Sequence, residues 1–182
     1  MSQRSLVALL LALTAAVHAL ALDGAFVYDD ELLIVQNAAL QHGELWTLLS
    51  QPYFGPDHGY WRPLTSLALW LGNAIGGAAG IHALALAAHT LATWLAFRIA
   101  HRLLGNAPLA CATALLFGLH PVQVEGVAWC SALNDPLWLA CGLGCLDAVL
   151  RGRIGTAAAC FALALLAKEN AIVLLQIGRA HV

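Results

Sequence analysis

Long apolar stretches separated by short polar breaks dominate the chain. Residues 5–22 are apolar except for Thr14 and His18 and follow Gln3 and Arg4. That length suffices for a membrane-spanning helix. Ala19-Leu20-Ala21 also has the small-x-small form of a signal-peptide cleavage site, but the further apolar segments downstream favour an uncleaved first span. Residues 64–75 are apolar and would form a helix of about 18 Å at 1.5 Å per residue, short of a ~30 Å hydrocarbon core. This segment is predicted to be interfacial or partly inserted and to break at Gly76-Gly77. Further spans are predicted over 78–100, 107–119, 133–150 and 154–175. The span over 107–119 stops at His120-Pro121, because proline disfavours helix at the residue before it.

Residues 23–63 read differently. They hold Asp23, Asp29, Asp30, Glu31, Glu44, Asp57 and Arg62, with Pro52, Pro56 and Pro63 among several aromatics. Glu44-Leu45-Trp46-Thr47-Leu48-Leu49 has the pattern of a short amphipathic helix lying on a membrane surface. Trp46, Tyr53, Phe54, Tyr60 and Trp61 suit an interfacial belt. Two loops are therefore expected on one side, 23–77 and 120–132, the first large and ordered.

Composition sharpens this pattern. Hydrophobic residues make up 61% of the 182 and charged residues 10%, where about 25% charged is usual for a soluble domain. So few charges cannot cover the surface of a soluble protein. The expected fold class is an all-α, polytopic membrane protein with about five spans. A net charge of −2 offers no basic field for nucleic acid. The five cysteines form no CxxC pair and read as small membrane-helix residues. Arg4, Arg98, Arg102, Arg151 and Arg153 all fall on one side when the spans alternate, which assigns that side to the cytoplasm. Every acid except Asp147 then lies on or toward the opposite face.

Candidate chemistry gathers on that opposite face. Tyr28-Asp29-Asp30-Glu31 follows the first span closely; its carboxylates read either as a solvated helix exit or as a base fixed by the helix before it. Arg62, just before Pro63, reads as an interface anchor or as a phosphate clamp, since a guanidinium fork pairs well with phosphate oxygens. His120, Glu125 and Asp135 belong to the second loop and its exit. Lys168-Glu169 lies inside the last predicted span, where an ionisable pair is a functional hypothesis by default. His89, mid-span, reads as a hydrogen-bonded packing residue. No HxxxH or His/Asp cluster marks a strong metal site. A transporter or channel fragment and a non-catalytic scaffold are the rival classes. Charges collected around a large interfacial loop, not spread through mid-membrane, favour an enzyme.

The ordered series Phe26-Val27-Tyr28-Asp29-Asp30, Asn37, Pro52-Tyr53-Phe54, Arg62-Pro63-Leu64, His82, His89, Phe117-Gly118-Leu119-His120-Pro121-Val122-Gln123-Val124-Glu125-Gly126-Val127-Ala128-Trp129, Asp135 and Lys168-Glu169 resembles the transmembrane and tetratricopeptide-repeat family of protein O-mannosyltransferases and its bacterial relatives, within the GT-C superfamily of membrane glycosyltransferases. The resemblance covers nearly all of residues 24–170. It implies inverting transfer of a sugar, typically mannose, from a polyprenyl-phosphate carrier to a Ser or Thr hydroxyl of a protein acceptor. The transfer would take place on the non-cytoplasmic face of a bacterial inner membrane or of the endoplasmic reticulum. On that resemblance the catalytic residues are Asp29 and Asp30, the carrier phosphate is held by Arg62 and Lys168, and the outer-loop site comprises His120, Glu125, Asp135 and Glu169. Apart from the lipid-linked donor no cofactor is expected, and a divalent ion is left open. Gln123 stands where relatives often have His, and Asn134 precedes the acid where Lys or Asp-rich variants occur.

Residues 177–182 read as the translation of a sequencing adapter joined to an interrupted gene and are set aside. On that reading residues 1–176 are the front part of a longer membrane domain, inactive alone because the carrier groove is half-walled. The repeats carried by such proteins would lie beyond it. The topology is tested by cysteine labelling: Asp57→Cys in a cysteine-free background is expected to react with a membrane-impermeant maleimide on the side opposite Arg98 and Arg151. Reaction from the arginine side overturns the topology.

Overall fold

Ser2 caps the first helix, accepting the Ser5 backbone N–H on its hydroxyl at 3.1 Å. Helix α1 (Gln3–His18) then passes into a 3-10 turn, Ala19–Asp23. The computed structural model describes residues 2–55 and 59–179. Asp57 of the first loop and residues 180–182 of the expected adapter stretch lie outside the described residues, while 177–179 continue the last helix. Helix accounts for 81% of the chain, with no strand among the described residues.

The described part of the first loop folds into short helical turns. A π-turn over Glu31–Val35 leads to α2 (Ala38–His42), capped by the Asn37 side chain accepting the Leu40 N–H at 3.2 Å and closed by Gly43 at φ 71°. Helix α3 (Leu45–Ser50) occupies the expected amphipathic segment. Leu33, Ile34, Leu40 and Leu48 from this loop bury against Leu69 and Ile81, so the loop is packed onto the helices beneath it. One expectation for the aromatic belt is corrected. Trp46 is 84% exposed, but Tyr53 is buried in this core, drawn in by a hydrogen bond described below.

Helix α4 (Pro63–Leu104) is two helices joined at a break. Gly77 sits at φ 59°, ψ −135°, a left-handed conformation that glycine adopts without strain. A Cβ added at Gly80 would lie 2.1 Å from the Gly72 carbonyl oxygen. In a straight helix residues 72 and 80 would be about 12 Å apart, so the chain doubles back on itself. The predicted break at Gly76-Gly77 is therefore present, and the arm over 63–75 is a packed helix with Thr65, Ser66 and Leu69 buried.

Helix α5 (Ala107–Gly118) packs on α4 and ends just before His120-Pro121, as expected. Its terminal carbonyl, of Gly118, lacks an intrahelical donor. His18 Nε2 at 3.1 Å and His89 Nε2 at 2.9 Å both donate to it. His89 is thus the hydrogen-bonded packing residue its position suggested, and His18 joins it. A short helix α6 (Gln123–Ala128) and a 3-10 turn (Cys130–Leu133) lead into α7 (Asn134–Val149), which packs against α4 and α8 (Ile154–Ala167). Helix α9 (Leu174–Arg179) closes the described chain.

Two stretches, Gln3–Asp23 and Pro63–Leu104, are long and apolar enough to cross a membrane. Helices α5, α7 and α8 have 12, 16 and 14 residues, short of the ~20 that a perpendicular span takes. The last predicted span, 154–175, is not one helix. Helix α8 stops at Ala167, Lys168 is extended (φ −157°, ψ 135°), and a 3-10 turn covers Glu169–Val173. The Thr65 hydroxyl donates to the Ala167 carbonyl at 2.8 Å, supplying the partner that a continuing helix would otherwise provide. Lys168 and Glu169 thus sit at a helix end, not within a helix.

The glycine contact carries a stability prediction. Gly80→Leu is expected to destabilise the protein by about 1–3 kcal/mol, because the added atoms meet backbone that cannot swing away. Gly155→Ala, where a Cβ meets nothing within 4 Å, is expected to be neutral or mildly stabilising. Thermal unfolding in detergent measures both.

Candidate active site

The acidic turn after α1 places its two aspartates in opposite surroundings. Tyr28, at φ 49°, is the only described non-glycine residue with positive φ, and the turn it makes sends Asp30 inward and Asp29 outward. Asp30 is fully buried. Its Oδ2 accepts the Val27 N–H at 2.9 Å, and its Oδ1 accepts the Ser131 N–H at 2.7 Å and the Ser131 hydroxyl. A buried carboxylate is tolerated when such donors replace its water. Asp30 therefore clasps the first loop to the second. The Asp29 side chain is exposed, and its carboxylate makes no hydrogen bond or ion pair with any described residue.

Ser131 is the hub of the second loop. Its carbonyl accepts the Tyr53 hydroxyl at 3.1 Å and the Asn134 side-chain amide at 2.9 Å. Burial pushes the Tyr53 hydroxyl well above the ordinary tyrosine range, although Arg62 works in the opposite direction. The phenol thus stays protonated and acts as a donor. The Tyr53 ring lies 5.2 Å from the Arg62 guanidinium carbon while its hydroxyl bonds Ser131, the residue that Asp30 holds, so Tyr53 links Arg62 to the Asp30 clasp.

The two cations are already paired. Arg62 donates from Nε at 2.9 Å and from Nη2 at 2.6 Å to the two carboxylate oxygens of Glu169, a fork-on-fork pair. The rings of Tyr53 and Tyr60 lie 5.2 and 5.0 Å from its guanidinium carbon. Lys168 pairs with Asp135 Oδ1, which also accepts the Trp138 indole N–H at 3.3 Å. The neighbours Lys168 and Glu169 therefore pair outward to different elements and not with each other.

Glu125 and Asp135 line a cleft of about 250 Å³ together with His89, Gly126, Pro136 and Trp138. His120 does not line it; its Nδ1 accepts the Val122 N–H at 3.2 Å and caps an exposed turn. Among the described residues no group of three or more His, Cys, Asp or Glu is placed to hold a metal ion. Cys130 lies 3.5 Å from His82 Nε2, but burial pushes its thiol up to about 12, so it stays a thiol and not a nucleophile. Ser131, Tyr53 and Trp138 are the site residues that sequence reasoning missed. Tyr53 enters the sequence reading as a belt aromatic and within the Pro52-Tyr53-Phe54 motif, without a site role, and nothing in the local pattern marks Ser131.

The described residues thus hold an exposed carboxylate on a turn fixed by its buried neighbour, and two cations each buttressed by a carboxylate. The chain is similar to glycosyltransferases. It is 35% identical over 116 residues to protein O-mannosyl-transferase Tmtc1 of Drosophila melanogaster, covering 59% of this chain and 14% of that protein. It is 36% identical over 117 residues to Tmtc2 of the same organism, covering 59% and 12%, and 31% identical over 126 residues to TMTC2 of Mus musculus, covering 64% and 15%. The resemblance to the O-mannosyltransferase family stands on these relatives, of whose length the chain spans 12–15%. No protein-family model matches the chain. No solved structure matches it.

The clasp separates the two aspartates by stability. Asp30→Asn turns an amide donor toward one of the N–H groups that the carboxylate now satisfies, and is expected to cost about 1.5–3 kcal/mol. Asp29→Asn is expected to stay within about 0.5 kcal/mol. Equal effects on thermal unfolding would show that the clasp carries no stability.

Proposed function

We propose that the chain is the front part of a multi-pass GT-C-type glycosyltransferase that moves a sugar, mannose by resemblance, from a polyprenyl-phosphate carrier to a protein Ser or Thr hydroxyl. The spans cross five times with the N-terminus in the cytoplasm, and both acidic loops face the other side. One observation carries the reading: Asp29 is exposed on a turn that the buried Asp30 holds rigid, and Asp30 binds Ser131, which Tyr53 joins to Arg62. The names of the relatives support the reaction class.

In the proposed step, Asp29 takes the proton of the acceptor hydroxyl as its oxygen bonds to the anomeric carbon from the face opposite the carrier. The bond from that carbon to the carrier phosphate breaks, and the electron pair leaves with the phosphate. Arg62 and Lys168 stabilise the phosphate charge, usually the largest contribution to such a transfer. Without the carrier, Glu169 and Asp135 hold these cations in place; the incoming phosphate exchanges for the carboxylates. The apolar helices supply the groove for the polyprenyl tail.

In the complete protein Asp29→Asn is expected to reduce turnover by about 10²–10⁴-fold, the range for losing a general base, while carrier affinity is retained. Arg62→Ala is expected to weaken carrier binding as well as slow transfer. Turnover and carrier affinity are measured for each variant in nanodiscs. If Asp29→Asn keeps normal turnover and a folded Asp30→Asn loses it, the base is the other aspartate; normal transfer by both overturns the catalytic reading.

A further inference from the structure

At the opposite end of the helices a groove of about 510 Å³ is lined by Gln3, Phe97, Arg98, His101, Arg102 and Arg151, with Gly105 at its edge. Three separate pieces of chain build it: the start of α1, the last turns of α4 and the turn between α7 and α8. Its cations are held unequally. Arg98 donates to Asp147 Oδ2 at 2.7 Å and lies 4.4 Å from the Trp94 ring centroid. Arg151 reaches the same oxygen at 3.2 Å. Arg102 is exposed and has no ion pair with any described residue. Among the described residues Asp147 is the one acid paired with these arginines, so the groove keeps an excess of positive charge. The His101 ring stacks on Phe97 at 5.7 Å, and its buried Nδ1 has no hydrogen-bond partner among the described residues.

We propose that this groove binds the phosphate of an anionic phospholipid headgroup. Of the three arginines lining this space, Arg98 and Arg151 share the Asp147 carboxylate and Arg102 has no ion pair with any described residue, so a phosphate there would meet positive charge that one acid only partly offsets. The groove lies at the ends of the stretches Gln3–Asp23 and Pro63–Leu104, long and apolar enough to cross a membrane, and so at headgroup depth. Leu103, Leu104 and Ile154, all strongly exposed, flank the basic residues in sequence and suit acyl-chain contact. A basic pocket between spanning helices is the general form of an acidic-lipid site. The inference rests on the membrane placement of these helices and not on sugar transfer, so its failure leaves the transferase reading intact.

A diffuse basic belt that only sets topology is the competing explanation, and Arg153 separates the two. It is exposed in the same α7–α8 turn but does not line the groove. The test is native mass spectrometry of the purified chain with phosphatidylglycerol, phosphatidylcholine or inorganic phosphate added. Retention of phosphatidylglycerol over phosphatidylcholine is expected. Arg102→Gln, a substitution at an exposed and unpaired side chain, is expected to cut that retention about fivefold, and Arg153→Gln less than twofold. Equal losses in the two variants overturn the site in favour of diffuse charge. Equal retention of phosphatidylcholine, or full displacement of the lipid by inorganic phosphate, overturns the lipid assignment.

Discussion

The Asp30 carboxylate is the constraint on which the candidate active site depends. A fully buried charge survives only with its donors in place, and Asp30 takes its donors from both loops at once, Val27 on one side and Ser131 on the other. Neither loop can shift without stranding it. The position of Asp29 follows, since it is the next residue along the same turn. The Tyr53 bond to Ser131 then draws the aromatic cluster, and with it Arg62, to the same point. The chemistry proposed for one exposed carboxylate thus rests on the neighbour that fixes its turn.

What the sequence made legible was local. Gly76-Gly77, His120-Pro121 and the amphipathic run over 44–49 each carry their signal within a few residues, and each appears where the pattern placed it. Helix lengths were less legible. The hydropathy of 154–175 runs on past Ala167, but hydropathy does not register that Thr65 and Arg62, roughly a hundred residues away, supply partners that let the helix end there.

Partners were not legible for the same reason. Lys168 and Glu169 are adjacent, which suggested a pair within one span, yet each is claimed by a distant residue. Nor does anything in Asp29-Asp30 say which aspartate turns inward; the decision is made by Ser131, on the other loop. The resemblance put the base at Asp29 with Asp30 beside it; the structure adds that Asp30 is buried and Asp29 exposed.

The extended backbone at Lys168 has a mechanical meaning. Successive side chains on an extended strand of chain point to opposite sides, so Lys168 reaches α7 through Asp135 while Glu169 reaches the start of α4 through Arg62. Two residues therefore rivet together elements that come from distant parts of the chain. An anion that displaces either carboxylate unfastens one side of that rivet, so occupancy of the site and cohesion of this end of the bundle become a single variable.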